Sequence, residues 1–497
     1  MLAEEKSEQI QLAYEVQLLE DLQILKMQDI GIEDTKQIVS KAQFIKALIN
    51  ITQPKYVPQA RYNPYTDLDR ENMGYQEIID AYALGILKTN GTSFEPNRWI
   101  TLREAAELAV SALGYDSTVS NGAYYEKAQE LKLFRSIKAV VNESLSFDNM
   151  AKLFANIIKT PICQKSFKGA PGTYTVEISE DVTVLSKCFD IVKIKGIVSE
   201  NAFTTLETSR TYNPNHIMVA GVEGKIYTTD DSVNYIGMYV EAYYRETEDG
   251  ENIFLHIKLD EKKNEIYSLR AEDVASFAEG VLTYEGEKRE EKITIPASVS
   301  IIYNGKQKQN DDANIFYFNE GEIIVVDNNS DKKADVITVN SYKDMIVTGK
   351  SGDGESITGD GEFINLYPDD ENFCSYITND ANEIIAYDDI AEKDILTYFV
   401  SEDGMYVRIK VSKNIITDKI SKYDCDEVVR GSAECRRDIA IIDGNDYEVS
   451  ANYADFRNEA KCGIKAEFYI NYYGKLVKIT TSSYIKYYGF IIKIYEN

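Results

Sequence analysis

The chain has 497 residues, of which 82 are acidic and 54 basic, so its formal net charge is −28, and 44% of the residues are hydrophobic. This composition is ordinary for globular domains. The acidity argues against electrostatic binding to nucleic acid or to anionic lipid, because both need clustered Lys and Arg. Only two histidines are present, His216 and His256, which leaves little material for histidine-built zinc sites or catalytic triads.

The first third of the chain is predicted to be helical. Apolar side chains in residues 1–165 recur with a period of 3.6, the pattern of an amphipathic helix. We expect three helices to begin after Ser40, Thr101 and Ser146, because serine and threonine are favoured N-caps. This part has 22 acidic and 18 basic residues, a net charge of 18 − 22 = −4, so the rest of the chain carries −24.

The predicted helices form pairs, and the pairs repeat. In each pair the first helix ends in a short apolar phrase, and a loop then leads to a capped second helix. The apolar phrases are Leu22-Gln23-Ile24-Leu25, Leu84-Gly85-Ile86-Leu87 and Leu131-Lys132-Leu133-Phe134. These spacings predict three repeats, at about residues 10–50, 62–115 and 120–160.

The middle repeat resembles an S-layer homology domain over the 40 residues from Tyr65 to Glu104. Tyr65-Thr66-Asp67-Leu68 is similar to the opening motif of that family, and Asn90–Asn97 is similar to its glycine-containing loop. Ile100–Glu104 stands where the family signature opens the second helix. The resemblance implies that residues 1–165 form one three-repeat helical module, which attaches an extracellular bacterial protein to secondary cell-wall polysaccharide.

In that family an arginine of the second-helix signature grips the anionic, pyruvylated polysaccharide. At that position this chain has Lys41 in the first repeat, Leu102 in the second and Phe147 in the third, with Arg103 one residue after Leu102. The resemblance therefore assigns glycan binding to Lys41 and Arg103, whose cationic groups suit carboxylates. Because two of the three positions lack a cation, a module used only for packing or assembly is the alternative.

From about residue 173 the pattern changes to short runs of alternating apolar and polar residues, which predict strands. Asp-Gly pairs between the runs, such as Asp360-Gly361 and Asp443-Gly444, are typical of tight hairpins. We predict four small antiparallel β-barrels or sandwiches. Their predicted bounds are 173–274, 275–345, 346–425 and 426–497. The expected fold class is thus multidomain, with a helical module followed by several all-β modules.

One predicted turn has the spacing of a calcium loop. Residues 327–335 place side-chain oxygens at positions 1, 3, 5 and 9, and position 7 offers a backbone carbonyl. The candidate ligands are Asp327, Asn329, Asp331, Lys333 and Asp335. Position 6 is Lys332 where glycine is usual, and position 12 is Thr338 where an acid is usual. A metal-free polar hairpin tip is therefore the alternative to calcium, which is the candidate cofactor.

The six cysteines include no Cys-x-x-Cys pair, which disfavours a cysteine-built zinc site. Cys425 and Cys435 are ten residues apart, so they are candidates either for a hairpin disulfide or for free thiols. No apolar run has the length of a membrane-spanning helix, so we expect no membrane insertion. We expect an extracellular location, in the cell wall or surface layer, with any signal peptide already removed.

These patterns predict a non-enzymatic bacterial cell-surface structural protein, a component of an S-layer or surface array. Its expected partners are wall polysaccharide and further copies of the same chain, in an oligomer or lattice. Two alternatives are a carbohydrate-binding adhesin, in which tyrosine-rich β faces stack on sugars, and a structural component of a larger particle or appendage. No nucleophile motif accompanies either histidine, which is why we do not expect an enzyme.

Overall fold

The computed structural model describes residues 14–54, 57, 62–88, 91–167, 174–201, 203–206, 216–221, 226–227, 235–247, 252–286, 288–308, 313–370, 372–428 and 435–481. The chain divides into two compact units. The first unit comprises 1–195, 226–228 and 241–258, and the second comprises 196–225, 229–240 and 259–497. The predicted combination of helices with several β modules is confirmed at this level.

Seven helices of the described chain lie in the first unit and one in the second. They are α1 (Tyr14–Asp21), α2 (Lys41–Thr52), α3 (Tyr75–Ala83), α4 (Leu102–Ala112), α5 (Tyr124–Glu130), α6 (Phe147–Ile157), α7 (Val184–Cys188) and α8 (Phe456–Glu459). Short 3₁₀ turns cover Met27–Ile30, Tyr115–Thr118, Ala271–Asp273, Ala313–Phe316 and Tyr387–Asp389. Within the described ranges, no helix has the length and apolar character needed to cross a membrane.

The N-caps of α2, α4 and α6 are the three residues predicted from the sequence. The hydroxyls of Ser40, Thr101 and Ser146 accept hydrogen bonds from the amides three residues later. At α2 and α4 the side chain of the third helical residue also accepts a hydrogen bond from the cap amide, which completes a capping box. Local sequence therefore fixes where each of these helices begins.

A ring of three backbone hydrogen bonds joins the segments that precede these caps. The Val39 amide donates to Leu145 O (2.9 Å), the Leu145 amide donates to Ile100 O (2.9 Å), and the Ile100 amide donates to Val39 O (3.1 Å). All three residues are buried. The segments around residues 39, 100 and 145 are therefore structurally equivalent, and each is paired with both of the others.

One hydrophobic core lies behind the ring in the first unit. Side chains of α1, α2, α4 and α6 dominate it, and Phe44 and Phe154 meet there with ring centroids 5.2 Å apart. The same core includes Ile191 and Tyr243, which come from strands. The helices therefore share one core, as expected for amphipathic helices that each have one apolar face.

The first seven strands form one antiparallel pair and one barrel. The antiparallel pair is β1 (Pro161–Phe167) and β2 (Tyr174–Thr183). Five strands then close a barrel in the order β3-β4-β5-β7-β6. They are β3 (Ile191–Glu200), β4 (His216–Val219), β5 (Ile226–Tyr227), β6 (Tyr239–Glu246) and β7 (Asn252–Leu259).

The strands from residue 265 to 341 form a three-stranded and a five-stranded sheet, in the orders β11-β10-β9 and β13-β12-β15-β14-β8. Their bounds are β8 (Glu265–Arg270), β9 (Val274–Ala278), β10 (Val281–Glu285), β11 (Glu290–Thr294), β12 (Ser300–Tyr303), β13 (Lys306–Lys308), β14 (Gly321–Asp327) and β15 (Val336–Ser341). The predicted module boundary at 274/275 thus separates β8 from the sheet to which it belongs.

Two further sheets complete the second unit, in the orders β18-β17-β16-β20-β21-β19 and β24-β23-β22-β25-β26. The first contains β16 (Lys343–Lys350), β17 (Ser356–Gly359), β18 (Glu362–Asn365), β19 (Cys374–Thr378), β20 (Ile395–Val400) and β21 (Tyr406–Ser412). The second contains β22 (Asn414–Val428), β23 (Cys435–Ile442), β24 (Asn445–Glu448), β25 (Lys465–Ile470) and β26 (Leu476–Thr480). The predicted boundary at 425/426 falls inside β22, which pairs first with β25 and then with β23.

Two features of strand pairing bear on the predicted hairpin turns and on the predicted antiparallel modules. Asp360-Gly361 and Asp443-Gly444 join neighbouring strands with positive φ at both residues, as a type I′ hairpin turn requires. The expectation of purely antiparallel modules is wrong, because β12 pairs with β15 and β19 with β21 in parallel. The connection from β12 to β15 contains β13 and β14, and the connection from β19 to β21 contains β20. Each is long enough for the chain to return in the same direction.

Candidate functional site

The hydrogen-bonded ring fixes which residues of the three repeats are equivalent. The amides of Lys41, Leu102 and Phe147 donate to the carbonyls of Arg98, Glu143 and Gln37, respectively. These three donors therefore occupy the same place in their repeats. Leu102 and Phe147 are each 1% exposed and belong to the core, and Lys41 is half-buried. The cation assigned from the sequence is thus present in one repeat and replaced by core side chains in two.

Arg103 occupies the next position of the repeat. Its amide donates to Val141 O, just as the amides of Ala42 and Asp148 donate to the carbonyls of Pro96 and Thr35. Lys41 and Arg103 are therefore not equivalent residues. Each lies at the junction between its own repeat and the following one, so the two predicted glycan-binding residues are in two different junctions.

At the first junction Lys41 is already held by the protein. Its Nζ atom donates to Phe94 O at 2.7 Å and lies 4.6 Å from the centroid of the Phe94 ring. Burial, followed by the nearby Arg98 guanidinium, lowers the pKa of Lys41. The side chain therefore supports the loop that contains Phe94, and it is an interior contact between two repeats.

Acidic groups surround that first junction. Arg98 forms ion pairs with Glu95 and Glu104. The carboxylate of Asp67 accepts hydrogen bonds from Ser93 Oγ and from the amides of Phe94 and Glu95. These bonds outweigh the opposing effect of burial and lower the pKa of Asp67 to about 2. Two cations therefore face three acids, which disfavours an anionic ligand here.

At the second junction Arg103 is exposed and lies beside an aromatic side chain. Its Nε atom donates to Asn142 Oδ1 at 3.3 Å, and its guanidinium carbon is 5.6 Å from the centroid of the Tyr125 ring. Tyr125 in turn lies against Phe134, with ring centroids 4.8 Å apart. The guanidinium therefore stands over one edge of an aromatic pair that belongs to the third repeat.

A groove of about 530 Å³ runs along this second junction. Its lining residues are Leu102, Tyr125, Gln129, Lys132, Phe134, Arg135, Ile137 and Ala139. The charged lining residues are both cations, Lys132 and Arg135, and both are exposed. Aromatic faces beside cations suit a saccharide that carries carboxylates, because the rings stack on sugar faces and the cations pair with the acid groups. We name this the Arg103 groove.

The sequence prediction missed Lys132, Arg135 and Tyr125. Lys132 lies inside the apolar phrase that ends the first helix of the third repeat, with φ of +59°. The apolar residues of that phrase predict packing and give no sign of a binding role for Lys132. The sequence feature that could have pointed to this groove is the pair of cations at 132 and 135, which directly follow α5. Their relation to Arg103 depends on the contact between two repeats, which no local pattern contains.

The predicted calcium loop connects β14 and β15, and its carboxylates bind the loop's own amides. Asp327 accepts hydrogen bonds from the amides of Asn329, Ser330 and Lys332 at 2.7–3.1 Å. Asp335 accepts from the amide of Asn328 and from the side-chain amide of Asn329. The arrangement fits a turn that is stabilised by its own side chains.

Two further predicted ligands, Asp331 and Lys333, contact each other. The Lys333 amide donates to Asp331 Oδ1 at 3.0 Å, and its ammonium lies 3.6 Å from Asp331 Oδ2. Across the described ranges, no three His, Cys, Asp or Glu side chains are grouped so that they form a metal-binding cluster. Calcium binding at residues 327–335 stays a prediction.

The cysteines separate into two kinds. Cys425, on β22, is disulfide-bonded. Among the described residues, Cys163 and Cys462 have free thiols. A disulfide on the hairpin strand β22 agrees with the first of the two alternatives that the sequence left open.

Comparison with known proteins does not assign this chain to a family. No model of a known protein family matches it, and no curated protein is significantly similar to it in sequence. The case for its function therefore depends on the repeats, the Arg103 groove and the resemblance carried by residues 65–104.

Proposed function

We propose that this chain is a non-enzymatic structural protein of a bacterial cell surface, a component of an S-layer or surface array. In this proposal the three repeats of the first unit are divergent S-layer homology repeats that hold the chain to anionic wall polysaccharide. The β modules form the part of the array that extends from the wall. The hydrogen-bonded ring supports three equivalent repeats, and the motifs at residues 65–104 supply the resemblance.

The observation that carries the proposal is the charge of the Arg103 groove. Lys132 and Arg135 are the charged residues of its lining, and Arg103 stands beside it. In a chain with a net charge of −28, a groove that combines cations with aromatic rings favours an anionic saccharide. The junction at Lys41 has the opposite balance, so we assign glycan binding to Arg103, Lys132 and Arg135 and a supporting role to Lys41.

Co-sedimentation with purified wall sacculi tests this assignment. We expect Lys132→Ala/Arg135→Ala to weaken binding at least about tenfold, because each lost charged contact typically contributes about 1.5–3 kcal/mol. Arg103→Ala should have a similar effect. Arg70→Ala removes an exposed arginine that does not line the groove and serves as the matched control.

Two results would contradict the assignment. The first is wild-type protein that stays in the supernatant with sacculi. The second is a groove variant that co-sediments as well as Arg70→Ala does. Circular dichroism of each variant distinguishes a lost contact from a lost fold. Because all substituted side chains are exposed, we expect the spectra to be unchanged.

Assembly of copies is a second candidate role, and one feature of the second unit favours it. Strand β18 lies at the edge of its sheet, and Phe363 on that strand is 66% exposed. An edge strand with an exposed aromatic side chain is suited to pairing with another chain. Sedimentation velocity of wild type and Phe363→Lys tests this role, which predicts larger species for the wild type only.

A further inference from the structure

A group of lysines lies outside the Arg103 groove, where the barrel strands of the first unit meet its helices. Lys193 is on β3, Glu241 and Tyr243 are on β6, and His256 and Lys258 are on β7. These strands are consecutive around the barrel. Two further members come from the helical part. They are Tyr14, the first residue of α1, and Lys159, which follows α6.

Glu241 is the carboxylate at the centre of the group. It lies 3.0 Å from Lys193 Nζ and 3.8 Å from Lys159 Nζ, and it also accepts a hydrogen bond from Tyr243. Despite its burial, the Tyr243 hydrogen bond and the two lysines lower the pKa of Glu241 to about 2. Glu241 is therefore ionised at neutral pH. Its one negative charge faces three ammonium groups, because Lys195 Nζ also lies 3.2 Å from it.

Mutual repulsion is evident among the ammonium groups. Burial lowers the pKa of Lys159 to about 8, and the charges of Lys193 and Lys258 add to this effect, against the attraction of Glu241 and Glu15. Lys258 Nζ lies 3.6 Å from the centroid of the Tyr14 ring. Three cations therefore act on one small volume, although the protein as a whole is strongly acidic.

Two polar atoms beside these lysines are buried and have no hydrogen-bond partner among the residues that the structure describes. They are the Tyr14 hydroxyl and His256 Nε2, and the two rings lie 5.6 Å apart. The other ring nitrogen of His256 is bound to Asp21 at 2.7 Å. Buried polar atoms rarely lack partners, so an unmatched pair next to a cationic cluster indicates that a polar ligand or water completes the site.

We propose that Lys159, Lys193 and Lys258, together with Tyr14, bind a phosphate group. Lysines meet phosphate as point charges and need no planar fork, unlike the bidentate pairing of arginine with a carboxylate. The side chains of Lys159 and Lys193 are 24% and 32% exposed, so both are in part accessible from solvent. The proposal does not depend on glycan binding in the Arg103 groove, because the two sites share no residue.

Binding of inorganic phosphate to the full chain at constant ionic strength tests the proposal, by calorimetry and by ³¹P NMR line shape. Lys193→Gln/Lys258→Gln should weaken binding at least about tenfold, since two charged contacts are lost. Glu241→Gln should tighten it, because the variant removes the competing negative charge and keeps the shape of the side chain. Lys36→Gln, which replaces an exposed lysine outside the cluster, is the control.

Dimethyl phosphate, measured in parallel, distinguishes a free phosphate dianion from the diester group of a polymer. Tighter binding of inorganic phosphate supports the dianion, and equal binding supports the diester. The proposal is overturned if wild type gives no saturable binding of either probe. It is also overturned if Lys193→Gln/Lys258→Gln binds as tightly as Lys36→Gln. Lys193 and Lys258 are exposed, so their replacement leaves the fold intact.

Discussion

Lys475, which precedes β26, offers the sharpest test of how the β modules of the second unit are joined. Its ammonium lies 2.8 Å from Glu448, 2.9 Å from Glu320 and 3.1 Å from Glu272. The lysine side chain is 9% exposed, and those of Glu320 and Glu272 are 10% and 13% exposed. Glu272 and Glu320 flank strands of the 265–341 sheets, so one buried cation connects two sheets.

We expect Lys475→Met to destabilise the second unit by about 3–5 kcal/mol at pH 7, because removal of one partner leaves buried carboxylates without a counter-charge. Burial raises the pKa of Glu320 even with the lysine present. A carboxyl whose folded-state pKa is raised contributes stability below its unfolded pKa and loses that contribution as the pH rises through the folded pKa. The penalty in Lys475→Met should therefore be largest near pH 7 and smaller near pH 5.

The direction of the pKa shift of Lys475 itself is consistent with this expectation. The three carboxylates outweigh burial and raise its pKa above the usual range. A lysine with a raised folded-state pKa contributes its full stability below the unfolded value of about 10.4 and loses it only as the pH rises further. Lys475 itself therefore does not titrate between pH 5 and pH 7, and any difference between those two pH values in the variant reports the carboxylates.

Hydrogen exchange of β8 and β26, read by mass spectrometry on the full chain, measures the effect where it occurs. Lys419→Met, an exposed lysine on β22, is the control, and Glu320→Gln added to Lys475→Met should restore part of the protection. The reasoning is refuted if Lys475→Met protects these strands as well as Lys419→Met does. It is also refuted if the loss of protection is the same at pH 5 and pH 7.

Three further predictions concern single elements. Thr101→Ala should destabilise the first unit by about 1 kcal/mol, because α4 loses its capping box, as measured by the shift in urea midpoint against Ser120→Ala, an exposed serine. Gly321→Ala should destabilise the second unit by more than 1 kcal/mol, because a Cβ atom would lie 2.0 Å from Asn340 O; an unchanged melting temperature would contradict this. If calcium binds residues 327–335, it should raise the melting temperature of wild type and leave that of Asp327→Ala/Asp331→Ala unchanged, and equal shifts in both would remove the site.

Local chemistry made several elements predictable. Ser40, Thr101 and Ser146 were identified as N-caps because a cap needs only its own side chain and the next three residues. Asp360-Gly361 and Asp443-Gly444 were identified as hairpin turns for the same reason, since the positive φ values that they adopt are a property of the turn itself.

Features that depend on distant segments were not predictable. The predicted boundary at 425/426 falls inside β22, which continues through Cys425. A strand that pairs with two different strands along its length has no sequence pattern that distinguishes it from two separate strands. The parallel pairing of β12 with β15 depends on the path of the chain between them. The sequence indicated Arg103, which stands beside the groove, but Lys132 and Arg135 line that groove only through the packing of two repeats.

The ring of Val39, Ile100 and Leu145 limits how this protein can change in length. Each of the three residues donates one hydrogen bond through its amide and accepts one through its carbonyl. The loss of any repeat therefore leaves one buried donor and one buried acceptor without a partner in the ring. The intervals along the chain are 100 − 39 = 61 and 145 − 100 = 45 residues, and the ring closes despite that difference of 16. The ring therefore accommodates connecting segments of different length, whereas a two-repeat version of the unit leaves the ring open.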